Sequence, residues 1–226
     1  MLKRTPPKKT RAPGNWKRVA DALQKDIIFG RLPPTKHVTE EEIMESFGAS
    51  RHAARRAFEE LDRSGLLVRL PNRGARVRSY TAAEVEDLYE IRETLEMRAA
   101  MRIRLPAPAE LVDRLNAIEA EHQRAADRKN IVALFETNDR FHDTLYRAGG
   151  NYALADAIRL FAWQSYVIRI RFITEESWRR NSVNQHKQMI RLLTQGTNQE
   201  LAQLVYEHLQ PSKQFYIQLY YKLKAS

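Results

Sequence analysis

The chain has 226 residues, no cysteine and a formal net charge of +10. That length supports one large or two modest domains with separate cores, and the lack of cysteine excludes disulfides and thiolate metal sites. No apolar run approaches a bilayer span, and the basic, proline-rich start lacks the apolar core of a secretory signal. A soluble cytoplasmic protein with no membrane partner is therefore expected. The charge is unevenly placed: residues 1–80 hold 18 Lys+Arg against 9 Asp+Glu, whereas residues 81–226 hold 20 against 19. Concentrated positive charge gives affinity for phosphate through counterion release, which points to nucleic acid as the partner of the first part.

Residues 1–14, MLKRTPPKKTRAPG, contain three prolines and five basic residues and little to bury. They read as a disordered basic arm, suited to following a DNA backbone or to entering a minor groove. Residues 15–30 form a first helix, with Asn15 as N-cap, an apolar stripe of Val19, Leu23, Ile27 and Ile28, and Gly30 at the end. Leu32-Pro33-Pro34 cannot continue it. Thr39 caps a second helix, and Glu42 at its third position completes a capping box. Ile43, Met44 and Phe47 of that helix face inward before Gly48 ends it. Ser50 caps a third helix whose Ala54, Ala57, Phe58 and Leu61 face the core. Leu66–Leu70 reads as a strand, Pro71-Asn72-Arg73-Gly74 as a turn and Ala75-Arg76-Val77 as the returning strand.

Helix, tight turn, basic helix and hairpin in that order make residues 15–80 a winged helix-turn-helix, which places one helix in a major groove and a wing beside it. Arg51 and Arg55 are four residues apart and share a face. Near the start of a recognition helix such a pair suits bidentate contact to guanine O6 and N7. Ser50 can bind a phosphate at the helix N-terminus, His52 can reach a base edge or phosphate, and Arg73 with Gly74 stands at the wing tip. The plain alternative is an ordinary solvated helix face; the capped preceding helix and the arginine-tipped hairpin argue against it.

From Thr81 the pattern is helical only. Six helices are expected, over about 81–104, 107–128, 130–148, 151–173, 177–195 and 197–223, with Pro106, Gly149-Gly150 and Gly196 at three of the breaks. Short links imply antiparallel packing in an all-α bundle. The aromatics Phe135, Phe141, Tyr146, Phe161 and Trp163 are most simply core. The fold class is thus mainly α, with a small β-hairpin wing in the N-terminal domain and residues 81–226 as a second, helical domain.

The segment Leu32-Pro33-Pro34, Thr39-Glu40, Gly48-Ala49-Ser50-Arg51, Arg55 with Ala57-Phe58, and Arg73-Gly74-Ala75-Arg76-Val77 resembles the N-terminal domain of the GntR family of bacterial transcription regulators. The resemblance carries the family's DNA contacts onto Arg51, Arg55 and Gly74. The chain departs from the pattern at Thr35, where Gly is usual and the turn is open to a different path. It departs again at His52-Ala53, at Arg56, and at Glu41, where some members place an Arg on DNA. The operator sequence is therefore not inherited from relatives.

Residues 81–226 resemble the FCD ligand-sensing domain of the FadR subfamily. The resemblance rests on Ile91-Arg92…Leu95-Glu96, on Asn138-Asp139-Arg140-Phe141-His142…Gly150-Asn151, and on Ser182…His186…Gly196…His208. Six helices rather than seven look more like its VanR-type branch. The resemblance implies a homodimer on a palindromic operator of double-stranded DNA, most commonly a repressor, governed by a small organic-acid effector. It does not imply an enzyme.

The histidines carry an argument of their own. His142, His186 and His208 fall on three different helices of the expected bundle. Neutral imidazoles converging in a bundle core suit a divalent ion of the zinc, nickel or manganese class. Asn138 lies one turn before His142 and matches the family's fourth ligand position; Asp139 is also within reach. Buried, hydrogen-bonded histidines without metal are the plain alternative. Arg92 is a candidate anchor for the effector carboxylate, with a salt bridge to Glu96 as its competing role. Of Arg169 and Arg171, two apart on one helix, only one can face inward. A rival function is a metal-dependent hydrolase in which the three histidines activate water, although only Asp139 is at hand as a general base. A structural DNA-binding protein with a ligand-free helical domain is a third reading.

Overall fold

The computed structural model describes residues 16–225, except residues 72 and 174 and the side chains of residues 171 and 225. The expected arm over 1–14 and the Asn15 cap lie outside the described residues. Two compact units divide the chain, Met1–Ser79 and Tyr80–Ser226.

The first unit holds α1 (Trp16–Ile28), β1 (His37–Val38), α2 (Glu40–Phe47), α3 (Arg51–Arg63), β2 (Leu67–Leu70) and β3 (Gly74–Val77). The apolar stripe of α1 buries Val19, Leu23, Ile27 and Ile28. It packs on α3, whose small Ala53, Ala54 and Ala57 are buried beside Phe58 and Leu61. Alanines let the two helix backbones come close while the long basic side chains of α3 stay on the other face. Thr39 caps α2 with the full capping box to Glu42, and Gly48 ends it in the left-handed conformation, φ +60°. These signals are local, each lying within a few residues of the helix end it sets.

The expected two-stranded wing is a three-stranded antiparallel sheet, in the order β1-β3-β2. The added strand pairs His37 with Arg76 and Val38 with Ala75. Two residues are too few to show an alternating pattern, so the strand leaves no trace in the sequence. Thr35 has φ +69°, so the turn keeps the left-handed geometry that Gly would adopt freely and holds a β-branched residue there. Its backbone N–H donates to the Val77 carbonyl at 3.0 Å, which fixes the turn against the sheet.

The second unit holds α4 (Ala82–Ala100), α5 (Ala109–Asp127), α6 (Ile131–Arg147), α7 (Tyr152–Gln164), α8 (Tyr166–Ile173), α9 (Glu176–Gln195) and α10 (Asn198–Ala225). A core of Phe141, Leu145, Leu115, Met189, Leu193, Leu201 and Val205 joins α5, α6, α9 and α10. The single helix expected over 151–173 is two, interrupted at Ser165. That buried hydroxyl donates to the Ala162 carbonyl at 2.7 Å and accepts from Arg92 Nη1 at 3.0 Å. A serine that turns back on its own helix competes with the backbone ladder. The described helices of this unit number seven, so a count of six no longer argues for the VanR-type branch.

Candidate functional site

In the N-terminal unit, α3 presents Arg51, His52 and Arg55 on its exposed face, with Ser50 exposed at its start. The Ser50 hydroxyl accepts from the Ala53 N–H at 3.2 Å, so it already serves as the helix cap. The two arginines are not free. Glu40 accepts from Arg55 Nε at 2.8 Å and lies 3.5 Å from Arg51 Nε, and Glu41 lies 3.3 Å from Arg51 Nη2. Glu40 holds the Arg55 guanidinium above its usual pKa, chiefly through that hydrogen bond. Arg56, on a neighbouring face, stacks over the Trp16 ring at 4.5 Å. In the wing, Arg73 is exposed, and its carbonyl meets the His37 ring. Gly74 has φ +85°, and a Cβ there would stand 2.3 Å from the Val38 carbonyl oxygen. Close backbone approach alone thus requires glycine at this position.

In the helical unit, a cavity of about 260 Å3 is lined by Arg92, Glu96, Asn138, Asp139, His142, Tyr146, Trp163, Arg169 and His208, among others. Tyr146 and Trp163, expected as plain core, stand on its wall. Arg92 is buried and held by Glu96, with Nε to Oε1 at 2.9 Å and Nη2 to Oε1 at 2.8 Å. The Tyr146 hydroxyl donates to the second Glu96 oxygen at 2.7 Å. Burial works against the Arg92 charge, but Glu96, together with Tyr89 and Tyr146, outweighs it and leaves the guanidinium above its usual value. Arg92 is therefore paired with Glu96, the competing role foreseen for it, and it also lines the cavity. Arg169 is the inward-facing member of its pair, while the side chain of Arg171 lies outside the described residues.

The three histidines meet. His142 Nε2 is 3.2 Å from His208 Nε2 and 3.3 Å from His186 Nε2. The rings come from α6, α9 and α10, which the shared apolar core fixes side by side. His186 Nδ1 is 2.9 Å from Glu119 Oε2, and His208 Nδ1 is 2.8 Å from Gln185 Oε1. When ionised, the Glu119 carboxylate only accepts, as the Gln185 amide oxygen does, which places the proton on Nδ1 and turns the Nε2 lone pair inward. Burial, as the first cause, depresses His186 to about 3 and His142 and His208 well below the usual range. His122, which carries no motif in the sequence, is fully buried nearby, with Thr137 Oγ1 at 2.8 Å and Ser182 Oγ at 3.2 Å. Burial, with His186 beside it, takes His122 to about 3 as well.

These residues fit a divalent cation. Protons are held off by burial, so the converging lone pairs repel one another unless a cation lies between them. A single Nε2–H on His142 answers one neighbour and leaves the other. Asn138 Oδ1 is buried without a hydrogen-bond partner and lines the same cavity. Asp139, by contrast, is engaged elsewhere. The Tyr166 hydroxyl donates to one of its oxygens, and Arg169 reaches the other at 3.4 Å. Asp139 stands apart from the metal-competent cluster, which among the described residues is His142, His186 and His208. Neutral imidazoles with an amide oxygen are a donor set for zinc or nickel more than for a hard cation.

A winged helix-turn-helix with a basic recognition face, joined to a helical bundle around a cavity, defines the class of ligand-responsive DNA-binding regulators. The comparisons with known proteins place it further. Residues 15–77 match the family described as "Bacterial regulatory proteins, gntR family", and residues 87–211 match the "FCD domain". The chain belongs to the GntR family and carries an FCD domain. It is similar to the Nta operon transcriptional regulator of Aminobacter aminovorans, 29% identical over 78% of this chain and 82% of that one. It is 30% identical to the HTH-type transcriptional repressor RspR of Escherichia coli over 54% of each chain, so the match spans about half of that relative. The solved structure of E. coli McbR/YncC superposes with a TM-score of 0.77 at 16% identity, covering 92% of this chain and all of that one. That likeness concerns the fold. The protein is a DNA-binding transcription regulator and not an enzyme, so the hydrolase reading of the histidines falls. Among the described residues no helix is long and apolar enough to cross a membrane.

Proposed function

We propose that the chain is a homodimeric, cytoplasmic repressor whose hold on a palindromic operator is set by a small carboxylate bound beside a divalent metal in the helical unit. The observation that carries the reading is the meeting of three Nε2 lone pairs at the edge of a cavity that also holds Arg92 and Arg169. His142, His186 and His208, with Asn138 as fourth ligand, hold the metal, which when bound supplies a Lewis-acidic positive centre for an anionic ligand. Arg92, which lines the same cavity, grips the carboxylate, exchanging part of its pairing with Glu96. The orphaned Asn138 oxygen supports its choice over Asp139.

At the other end, Arg51 and Arg55 reach guanines, Ser50 and His52 reach phosphate or base edges, and Arg73 with Gly74 brings the wing to the backbone. A two-fold pair of such readers fits half-sites one helical turn apart. Repression accords with the name of RspR, a repressor. Ligand acts by binding one arrangement of the dimer better than the other. A genomic-fragment selection followed by gel-shift titration tests this. Zinc-loaded protein should bind its own promoter region, and candidate organic acids should release it. Binding that no acid affects, in protein that takes up no metal, would overturn the sensor part.

A further inference from the structure

We propose that Glu119 is a positioning residue for the metal: from behind His186 it fixes the ring tautomer and supplies the negative charge that the neutral ligand set lacks. The inference rests on the metal reading above and concerns a residue outside the ligands.

The three imidazoles are backed unequally. Behind His186 stands the Glu119 carboxylate at 2.9 Å, and behind His208 the neutral amide of Gln185 at 2.8 Å. The His142 Nδ1 is buried with no partner. Only one of these supports carries a charge. Glu119 is 3% exposed, and its other oxygen, Oε1, is buried without a hydrogen bond. A half-satisfied buried carboxylate is costly unless a cation compensates it.

Lys187, whose ammonium donates to Gln123 at 2.9 Å, acts on Glu119 only from beyond ion-pair distance. Arg92 is matched by Glu96, and Arg169 by Asp139. The partner of Glu119 is the neutral His186 ring, hydrogen-bonded at 2.9 Å, with no guanidinium or ammonium at ion-pair distance among the described residues. The Arg92 and Arg169 guanidinium groups are therefore matched by their own carboxylates, and the ligand set of three neutral imidazoles and the Asn138 amide brings no anion of its own. A divalent ion at the three Nε2 atoms would answer both deficits through one ring. His186 would donate its Nδ1–H to Glu119 and its Nε2 lone pair to the metal, the arrangement in which a carboxylate orients and strengthens an imidazole ligand.

The test is a zinc titration of the full-length protein against a chromophoric chelator, with thermal unfolding of the metal-free forms alongside. Glu119→Gln keeps an acceptor oxygen for the ring and removes the charge. It should unfold, metal-free, at or above the wild-type temperature and bind zinc about 10- to 100-fold more weakly. Adding Asn138→Asp to that variant should recover at least about tenfold, because an anion then enters the ligand set directly. Zinc binding by Glu119→Gln at wild-type affinity would overturn the proposal while leaving the metal site intact. Failure of the wild-type protein to take up zinc would overturn the metal reading itself. Should the variant not fold, the zinc-loaded wild type decides in nitrogen-15 spectra. The His186 Nδ1 proton should resonate well downfield of the His208 one; equal positions would refute the carboxylate support.

Discussion

In the N-terminal unit, Glu40 and Glu41 meet Arg51 and Arg55 on a solvated helix face, the arginine side chains being 57% exposed. In the helical unit, Arg92 meets Glu96 with both side chains 6% exposed or less. The same chemical pair does different work in the two places. Water screens the first, so its members can change partners at little cost. The second must keep a counter-charge at hand, because either member alone would be a bare charge in an apolar setting, so only another anion in the cavity can take part of the place of Glu96. A surface built to hand its arginines to another molecule and an interior built to keep its charges matched are thus made from the same residue types, separated by burial.

The sharpest break of this comparison is Glu96→Ala. It strands Arg92 and the Tyr146 hydroxyl, and should cost the helical unit about 3–5 kcal/mol in chemical denaturation; Glu96→Gln should cost less. A loss below about 1 kcal/mol, the level of an exposed pair, would erase the contrast. Next comes Arg55→Ala, which should leave unfolding almost unchanged and remove about 1–3 kcal/mol of operator affinity in gel shifts. Unaltered affinity would remove Arg55 from the reading face.

Acid should separate the units by direction as well as size. His122 and His186 are held near 3 in the folded state against a usual 6.5. The unfolded chain therefore binds more protons below about 6.5, and the stability these rings confer, complete above that pH, drains away toward 3. Glu119 acts oppositely. Burial raises it to about 7 from 4.5, so its own contribution declines as pH rises between those values. With more histidines than carboxylates in this set, metal-free protein should melt at progressively lower temperature below pH 6.5, most steeply below 4.5, where Glu119 no longer offsets them. A level profile down to pH 4 would show that these rings are not buried and neutral. The smallest effect belongs to Glu40→Gln, expected to alter stability by no more than about 1 kcal/mol. A larger change would mean that the surface pairs hold their partners as firmly as the interior ones do.

The same division governs what could be read from sequence. Thr39 with Glu42, Ser50, and Gly48 are local signals, each within a few residues of what it controls, and the helix-turn-helix follows from them. The histidine positions were legible as types on separate helices. Their supports were not: Glu119 reaches His186 across 67 residues, and Gln185 reaches His208 across 23. No periodicity announces which buried carboxylate stands behind which ring. Ser165 hid for another reason. It sits in an apolar run that reads as unbroken helix, and the guanidinium that meets its hydroxyl, Arg92, is 73 residues away. His122 looked like one more histidine until Thr137 and Ser182 closed on it.

The approach of Gly74 to the end of β1 has a mechanical consequence. A Cβ at Gly74 would fall on the Val38 carbonyl and the backbone of Thr39, and Thr39 is the cap from which α2 begins. The wing and α2 are therefore coupled through backbone, by the pairing of β1 with β3 and by this close approach, where no side chain separates them. A methyl group inserted there would act as a wedge. It would lift the wing and loosen the cap together, and amide exchange would quicken at Ala75 and Glu42 in step.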